Sequence, residues 1–261
     1  MDVQEIAALI EQTAPLHWQE EYDNAGLQVG NPQTQVTGVL VSLDITEKVI
    51  DEAILKGCNL VVSHHPLIFR PLRQVCGLSW QQRCVEKALR AGICLYSAHT
   101  NLDNSPQGVN RRIAECIGLE NLGPLSENAN GSWSGAVGTL PQRVSRADFL
   151  HLLAQRFEAR GLQFHGAEGA PVKTVALCGG AGNFLLEEAQ KKGADCFITG
   201  ELHYHDWFEA EGMLLVQLGH YESEGCAVGL LSDLISAGFP QLRILRAGTP
   251  TNPIRYFAAE F

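Results

Sequence analysis

At 261 residues, with 45% hydrophobic and 18% charged residues, the chain has the composition of a globular protein and is long enough for one large domain or two compact ones. Its formal net charge is −10. The only adjacent basic pairs are Arg111-Arg112 and Lys191-Lys192, so no basic stripe offers itself to a phosphate backbone and nucleic acid is not expected as a partner. The N-terminus has no basic n-region, and no run of about 18 apolar residues occurs anywhere, so the expected location is cytoplasmic, with no membrane partner. The 8 cysteines include no Cys-x-x-Cys pair and read as reduced, buried thiols.

The first predicted element is a helix over Val3, Ile6, Leu9 and Ile10, opened by an Asp2/Glu5 capping box and running to about Thr13 before Pro15. Asp23 and Asn24 read as turn residues ahead of Gly26, in a Gly-rich turn. An alternating series follows: apolar Val36 to Leu43, amphipathic Glu47 to Leu55, apolar Leu60 to Val62, amphipathic Gln81 to Ala91 and apolar Ile93 to Tyr96, a β-α-β-α-β pattern. The polar, Gly/Asn-rich stretch from Ser126 to Ser134 reads as a linker. Beyond it come strands near Ala136 to Leu140, Thr174 to Cys178, Cys196 to Thr199 and Leu214 to Leu218, with helices near Arg146 to Glu158, Phe184 to Lys192 and Gly225 to Ser236. The expected fold is α/β, with two layered domains and mixed, mostly parallel sheets. The expected domains are 1–125 and 126–261, with the last ~50 residues able to pack back on the first. Residues 56–65 overlay 192–201 without a gap, and each half then reaches a histidine with an acid four positions on, which leaves a duplicated unit open.

Reactive groups in such folds lie past the carboxyl ends of strands. Ser63-His64-His65-Pro66 puts two adjacent imidazoles at such a place, where a core position would rarely hold two titratable rings. Extended geometry sends successive side chains in different directions, so the pair can serve two neighbouring metal ions. His99 with Asp103 and His220 with Glu224 follow apolar strands in the same way. His64, His65, Asp103, His220 and Glu224 together offer three nitrogens and two carboxylates, a donor set suited to two divalent ions among zinc, iron, manganese and nickel. His205, in the segment Glu201 to His205 after the third strand of the second half, is a candidate for substrate contact or general-acid work.

Five segments in order, Tyr22 to Gly30, Ser63 to Pro66, Ala98 to Asp103, Thr199 to Glu201 and Gly219 to Glu224, give the chain a resemblance over nearly its whole length to the Nif-three-like proteins, the GTP cyclohydrolase 1 type 2 homologues. The resemblance implies two α/β domains with a dinuclear metal centre in the cleft, held by His64, His65, Asp103, His220 and Glu224, with Glu224 bridging. It places His99 beside the centre, as a weaker ligand or a proton carrier, and implies a homohexameric ring. The expected activity is that of a hydrolase whose metal-activated water opens the purine ring of GTP or attacks a related small substrate, with His99 or His205 moving protons. Two other readings stay open: a metal-dependent phosphoesterase on a nucleotide-like substrate, and a non-catalytic metal-binding, regulatory or scaffold protein.

Overall fold

A computed structural model of the chain describes residues 1–166, 168–210 and 212–257. The chain divides into two compact units, one made of Met1–Ser105 with Ala227–Thr251, the other of Pro106–Cys226 with the stretch from Asn252 onward. The first unit opens with α1 (Val3–Thr13), β1 (Gly26–Val29), β2 (Val39–Ser42), α2 (Glu47–Leu55), β3 (Leu60–Ser63), α3 (Trp80–Ala91), β4 (Cys94–Ser97) and the single turn α4 (Thr100–Asp103). The second unit holds α5 (Val109–Ile117), β5 (Glu120–Glu127), β6 (Trp133–Val144), α6 (Arg146–Arg156), β7 (Gln163–His165), β8 (Val172–Cys178), α7 (Leu186–Lys191), β9 (Cys196–Thr199), β10 (Leu214–Gln217) and α8 (His220–Glu224). The chain then returns to the first unit in α9 (Cys226–Gly238) and β11 (Ile244–Arg246).

The sheet of the first unit has strand order β1-β4-β3-β2-β11. Leu40, Val61 and Leu95 are in register on adjacent parallel strands and belong to one core cluster with Val49, Ile50, Val85 and Ala88 of α2 and α3. On the opposite face, Tyr96 donates its hydroxyl to Glu11 of α1 at 3.1 Å. With helices on both faces, the inner strands β2, β3 and β4 are buried throughout, which is why they read as continuous apolar runs. The Asp2/Glu5 capping box is present, and Thr46 and Ser79 cap α2 and α3 in the usual way.

The sheet of the second unit has strand order β5-β6-β8-β9-β10-β7. Ala176, Phe197 and Leu215 line up across its parallel strands and pack with Leu186 and Ala189 of α7, while α5 packs against β6 and β8. Here the expectation of mostly parallel pairing is corrected: only β8-β9 and β9-β10 are parallel, and β5-β6, β6-β8 and β10-β7 are antiparallel. The expected linker is the cause. Residues 126–134 are the ends of β5 and β6 and the turn between them, a hairpin whose Gly and Asn residues serve the turn. The Gly-rich turn before residue 30 likewise contains β1, an edge strand antiparallel to β4. All eight cysteines are free thiols, but Cys76 is exposed in the loop after Pro66, so the reading of eight buried thiols fails there.

Candidate metal centre

In the first unit the chemistry gathers past the carboxyl ends of the parallel strands β2, β3 and β4, which deliver Asp44, then His64 and His65, then His99. The sheet ladder extends beyond β3: His64 N–H donates to Ser42 O at 3.3 Å and His65 N–H to Leu43 O at 2.9 Å. Ser63 and Ser97, in register on neighbouring strands, both donate hydroxyls to the His65 carbonyl, at 2.8 and 3.3 Å. The backbone carrying the two imidazoles is therefore fixed before either ring finds a partner.

The rings themselves are oriented one by one. His64 is fully buried, and its Nδ1 lies 2.8 Å from the Ala98 carbonyl oxygen. A carbonyl can only accept, so Nδ1 carries a proton. His65 Nδ1 donates to Asp44 at 2.7 Å, and Thr251 donates its hydroxyl to the other oxygen of Asp44. His99 Nδ1 donates to Asp23 at 2.7 Å. In all three rings Nδ1 is the bonded nitrogen, and the ring centroids lie 5.0, 5.4 and 5.6 Å apart. The turn α4 adds Asp103, whose Oδ1 lies 3.5 Å from His64 Nε2. Hydrogen bonds from a ligand histidine's far nitrogen to a carboxylate or a carbonyl are what metal sites use to set tautomer and ring direction.

Asp23 corrects the reading of a simple turn residue. Its side chain is shielded from solvent, which by itself would favour the neutral acid. The hydrogen bond and positive character of His99, with further hydrogen bonds from Thr100 and the Asn24 N–H, outweigh that and lower its pKa to about 2.

In the second unit, β8, β9 and β10 deliver Gly179-Gly180, Glu201 and the turn α8 in the same way. The three strand ends are tied together: Gly200 N–H and Glu201 N–H donate to Gly180 O at 2.8 and 2.9 Å, and Gly219 N–H donates to Gly200 O at 3.2 Å. His220 Nδ1 donates to Glu201 Oε1 at 2.9 Å, and its Nε2 faces Glu224 Oε2 at 3.0 Å. Glu224 is only 3% exposed. Gly180 has φ +60, and a Cβ there would run into Glu224 Oε1, so the residue must be glycine for the carboxylate to sit where it does.

This donor set fits a divalent cation. In each unit an imidazole Nε2 faces a buried carboxylate oxygen, at 3.5 Å for His64 and Asp103 and 3.0 Å for His220 and Glu224, and imidazole nitrogen with carboxylate oxygen is a donor pair that divalent metals take. Of the residues singled out from sequence, His64, His65, His99 and Asp103 meet in the first unit, and His220 and Glu224 meet in the second. His205 is exposed on the 3-10 helix Tyr204–Ala210, its ring beside Tyr204 and Phe208. Sequence reasoning passed over Asp44 and assigned no role to Glu201. The rule that found His64, a polar residue just past a buried strand, also selects both of these.

The chain matches the family model Duf34/NIF3 (NGG1p interacting factor 3) over residues 1–253. It is 32% identical over 263 residues to a GTP cyclohydrolase 1 type 2 homolog of Lactococcus lactis, covering 97% of this chain and 98% of that one. A relative of the same name from Clostridium acetobutylicum is 30% identical over 250 residues, covering 94% and 93%. Among solved structures, a hypothetical protein of Staphylococcus aureus superposes with a TM-score of 0.93 at 26% identity, covering 98% of this chain and 99% of that one.

Proposed function

The chain belongs to the Duf34/NIF3 family, and from that premise we propose that it is a metal-dependent hydrolase acting on a nucleotide-like small molecule. The observation that carries the reading is the shared state of the four imidazoles of His64, His65, His99 and His220. Each has Nδ1 committed to a carbonyl or carboxylate oxygen, so that Nε2 is left as the ligating or proton-accepting atom.

In this reading His64, His65, Asp103, His220 and Glu224 are the residues that would hold two divalent ions. Zinc, iron, manganese and nickel all suit these ligands. Divalent ions held there would supply Lewis acidity and a water of lowered pKa. The chain's own residues do the rest. His99 Nε2 takes up or returns a proton, and Asp23, ionised at any working pH, steadies the imidazolium that forms. Asp44 and Glu201 keep His65 and His220 in the ligating tautomer. His205 is assigned to substrate contact from its exposed helix.

Ring opening of GTP is the activity that the relatives' names suggest, and this reading adopts it. It also takes the protein to be cytoplasmic and to assemble as a homohexamer. A duplicated architecture belongs to it as well: residues 56–65 and 192–201 fall on the end of α2 with β3 and on the end of α7 with β9, each joint turning at a glycine with positive φ, Gly57 and Gly193. Incubation of the metal-loaded protein with GTP, followed by mass analysis of products, tests the activity. Formate or a ring-opened purine is the expected result, lost in His99→Ala. Inorganic phosphate without ring opening would replace the cyclohydrolase with a phosphoesterase, and no product at all would remove the hydrolase reading.

A further inference from the structure

The segment Tyr22 to Gly30 and the loop after Pro66 are fastened to one another in the first unit. Asn24 donates its side-chain amide to the Ile68 carbonyl at 2.5 Å, Gln28 accepts from Ile68 N–H at 3.0 Å, and Gln28 donates to Asn24 O at 2.7 Å. Both backbone groups of Ile68 are thereby pinned, and the next residue, Phe69, is set in place. Its ring lies edge-on to His99, with centroids 6.0 Å apart, and Tyr22 lies edge-on to Phe69 at 6.2 Å. Exposure rises along this run, from 16% for the His99 side chain to 40% for Phe69 and 64% for Tyr22, so an aromatic path leads from the imidazole group out to solvent.

Arg70 and Arg73 follow Phe69 on the same loop and are both exposed. Neither is paired with a carboxylate among the described residues. In a chain of net charge −10, two exposed guanidinium groups on the loop that carries an exposed ring are a place for an anion attached to a flat apolar body. Aromatic rings held open to water supply stacking faces for such a body.

We infer that Tyr22, Phe69, Arg70 and Arg73 form the binding subsite for a phosphorylated aromatic heterocycle, whose ring stacks on one of the two aromatic side chains and meets the other edge-on while its phosphates meet the two arginines. This deepens the proposed function by naming the residues that recognise the substrate, and it rests on that reading for placing the reacting ring beside His99. The ligand is a mononucleotide rather than a single-stranded nucleic acid, because the overall negative charge opposes a longer polyanion.

Equilibrium titration of the intact protein with GTP, guanosine, inorganic tripolyphosphate and a short single-stranded RNA tests this, with metal content measured on the same samples. The double variant Arg70→Gln/Arg73→Gln is expected to weaken GTP binding at least tenfold and leave guanosine binding unchanged. Phe69→Leu is expected to weaken GTP and guanosine alike, by about tenfold, with Tyr22→Leu at the more exposed ring as the check should Phe69→Leu disturb the loop. Metal content should not change in any of them. The subsite is overturned if these variants bind GTP as the wild type does, if the RNA binds more tightly than GTP, or if protein with its full metal content fails to bind GTP. Protein that shows the expected binding pattern but holds no metal would keep the subsite and remove the hydrolase reading.

Discussion

Asp23 accepts from His99 Nδ1 and from both the backbone N–H and the hydroxyl of Thr100, so its charge is used to hold a ring and a helix start together. Its pKa falls from 3.8 to about 2 on folding. A carboxyl group lowered in the folded state stabilises the fold fully above its ordinary pKa and loses that contribution as the pH drops through the folded value. The window for Asp23 therefore runs from about pH 4 down to about pH 2, and the difference corresponds to about 2 kcal/mol at neutral pH. Asp23→Asn should lower stability at pH 7 by that order, with the gap from wild type closing as the pH falls from 4 to 2. Denaturant unfolding at several pH values measures it, and a gap that persists unchanged at pH 2 would mean that Asp23 acts by shape alone. The same residue marks a limit of reading side chains from sequence. Asp23 beside Asn24 and ahead of Gly26 has the composition of a turn, and only its three-dimensional pairing with a histidine 76 positions on separates support of a site from turn formation.

At the scale of elements, the strands that supply the site depend on what clasps them. Glu52 on α2 accepts from Lys56 Nζ at 2.6 Å and from the N–H groups of Gly248 and Thr249 at 2.8 and 2.9 Å. Those bonds fasten the segment after β11, and from it Thr251 reaches Asp44, which in turn holds His65. Glu52→Gln should cost about 1 to 2 kcal/mol in urea unfolding and speed hydrogen exchange at the Gly248 and Thr249 amides. Unchanged exchange at both would show that the clasp does not hold this segment. Elements with a strong period and a clear cap were legible in the sequence: α2 and β9 have the expected bounds, and the capped α1 runs to Thr13. Those that were missed lacked such a signal. β1 is bracketed by Gly26 and Gly30, β5 carries Pro124 and a polar end, and the residues of β7 are all exposed. None shows the apolar alternation that marks a strand packed on a core. Missing these antiparallel strands made the second sheet look more parallel than it is.

At the scale of the whole molecule, the chain passes from the first unit to the second after Ser105 and back after Cys226. Each crossing lies close to residues of the proposed centre: α4 ends at Asp103, and α8 ends at Glu224. No helix among the described residues is long and apolar enough to cross a membrane. The proposed ligand residues could be singled out because they obey one rule in both units, polar groups just past buried parallel strands. The carboxylates behind them obey the same rule but carry no distinctive motif of their own. The central claim is that the chain holds divalent metal through these histidines and carboxylates, and elemental analysis of the purified protein tests it most directly. After reconstitution with zinc, iron, manganese or nickel, the wild type should hold about two ions per chain, and His64→Ala and Glu224→Ala should each hold fewer. A wild type that takes up none of these metals, or variants that keep the full complement, would contradict the account.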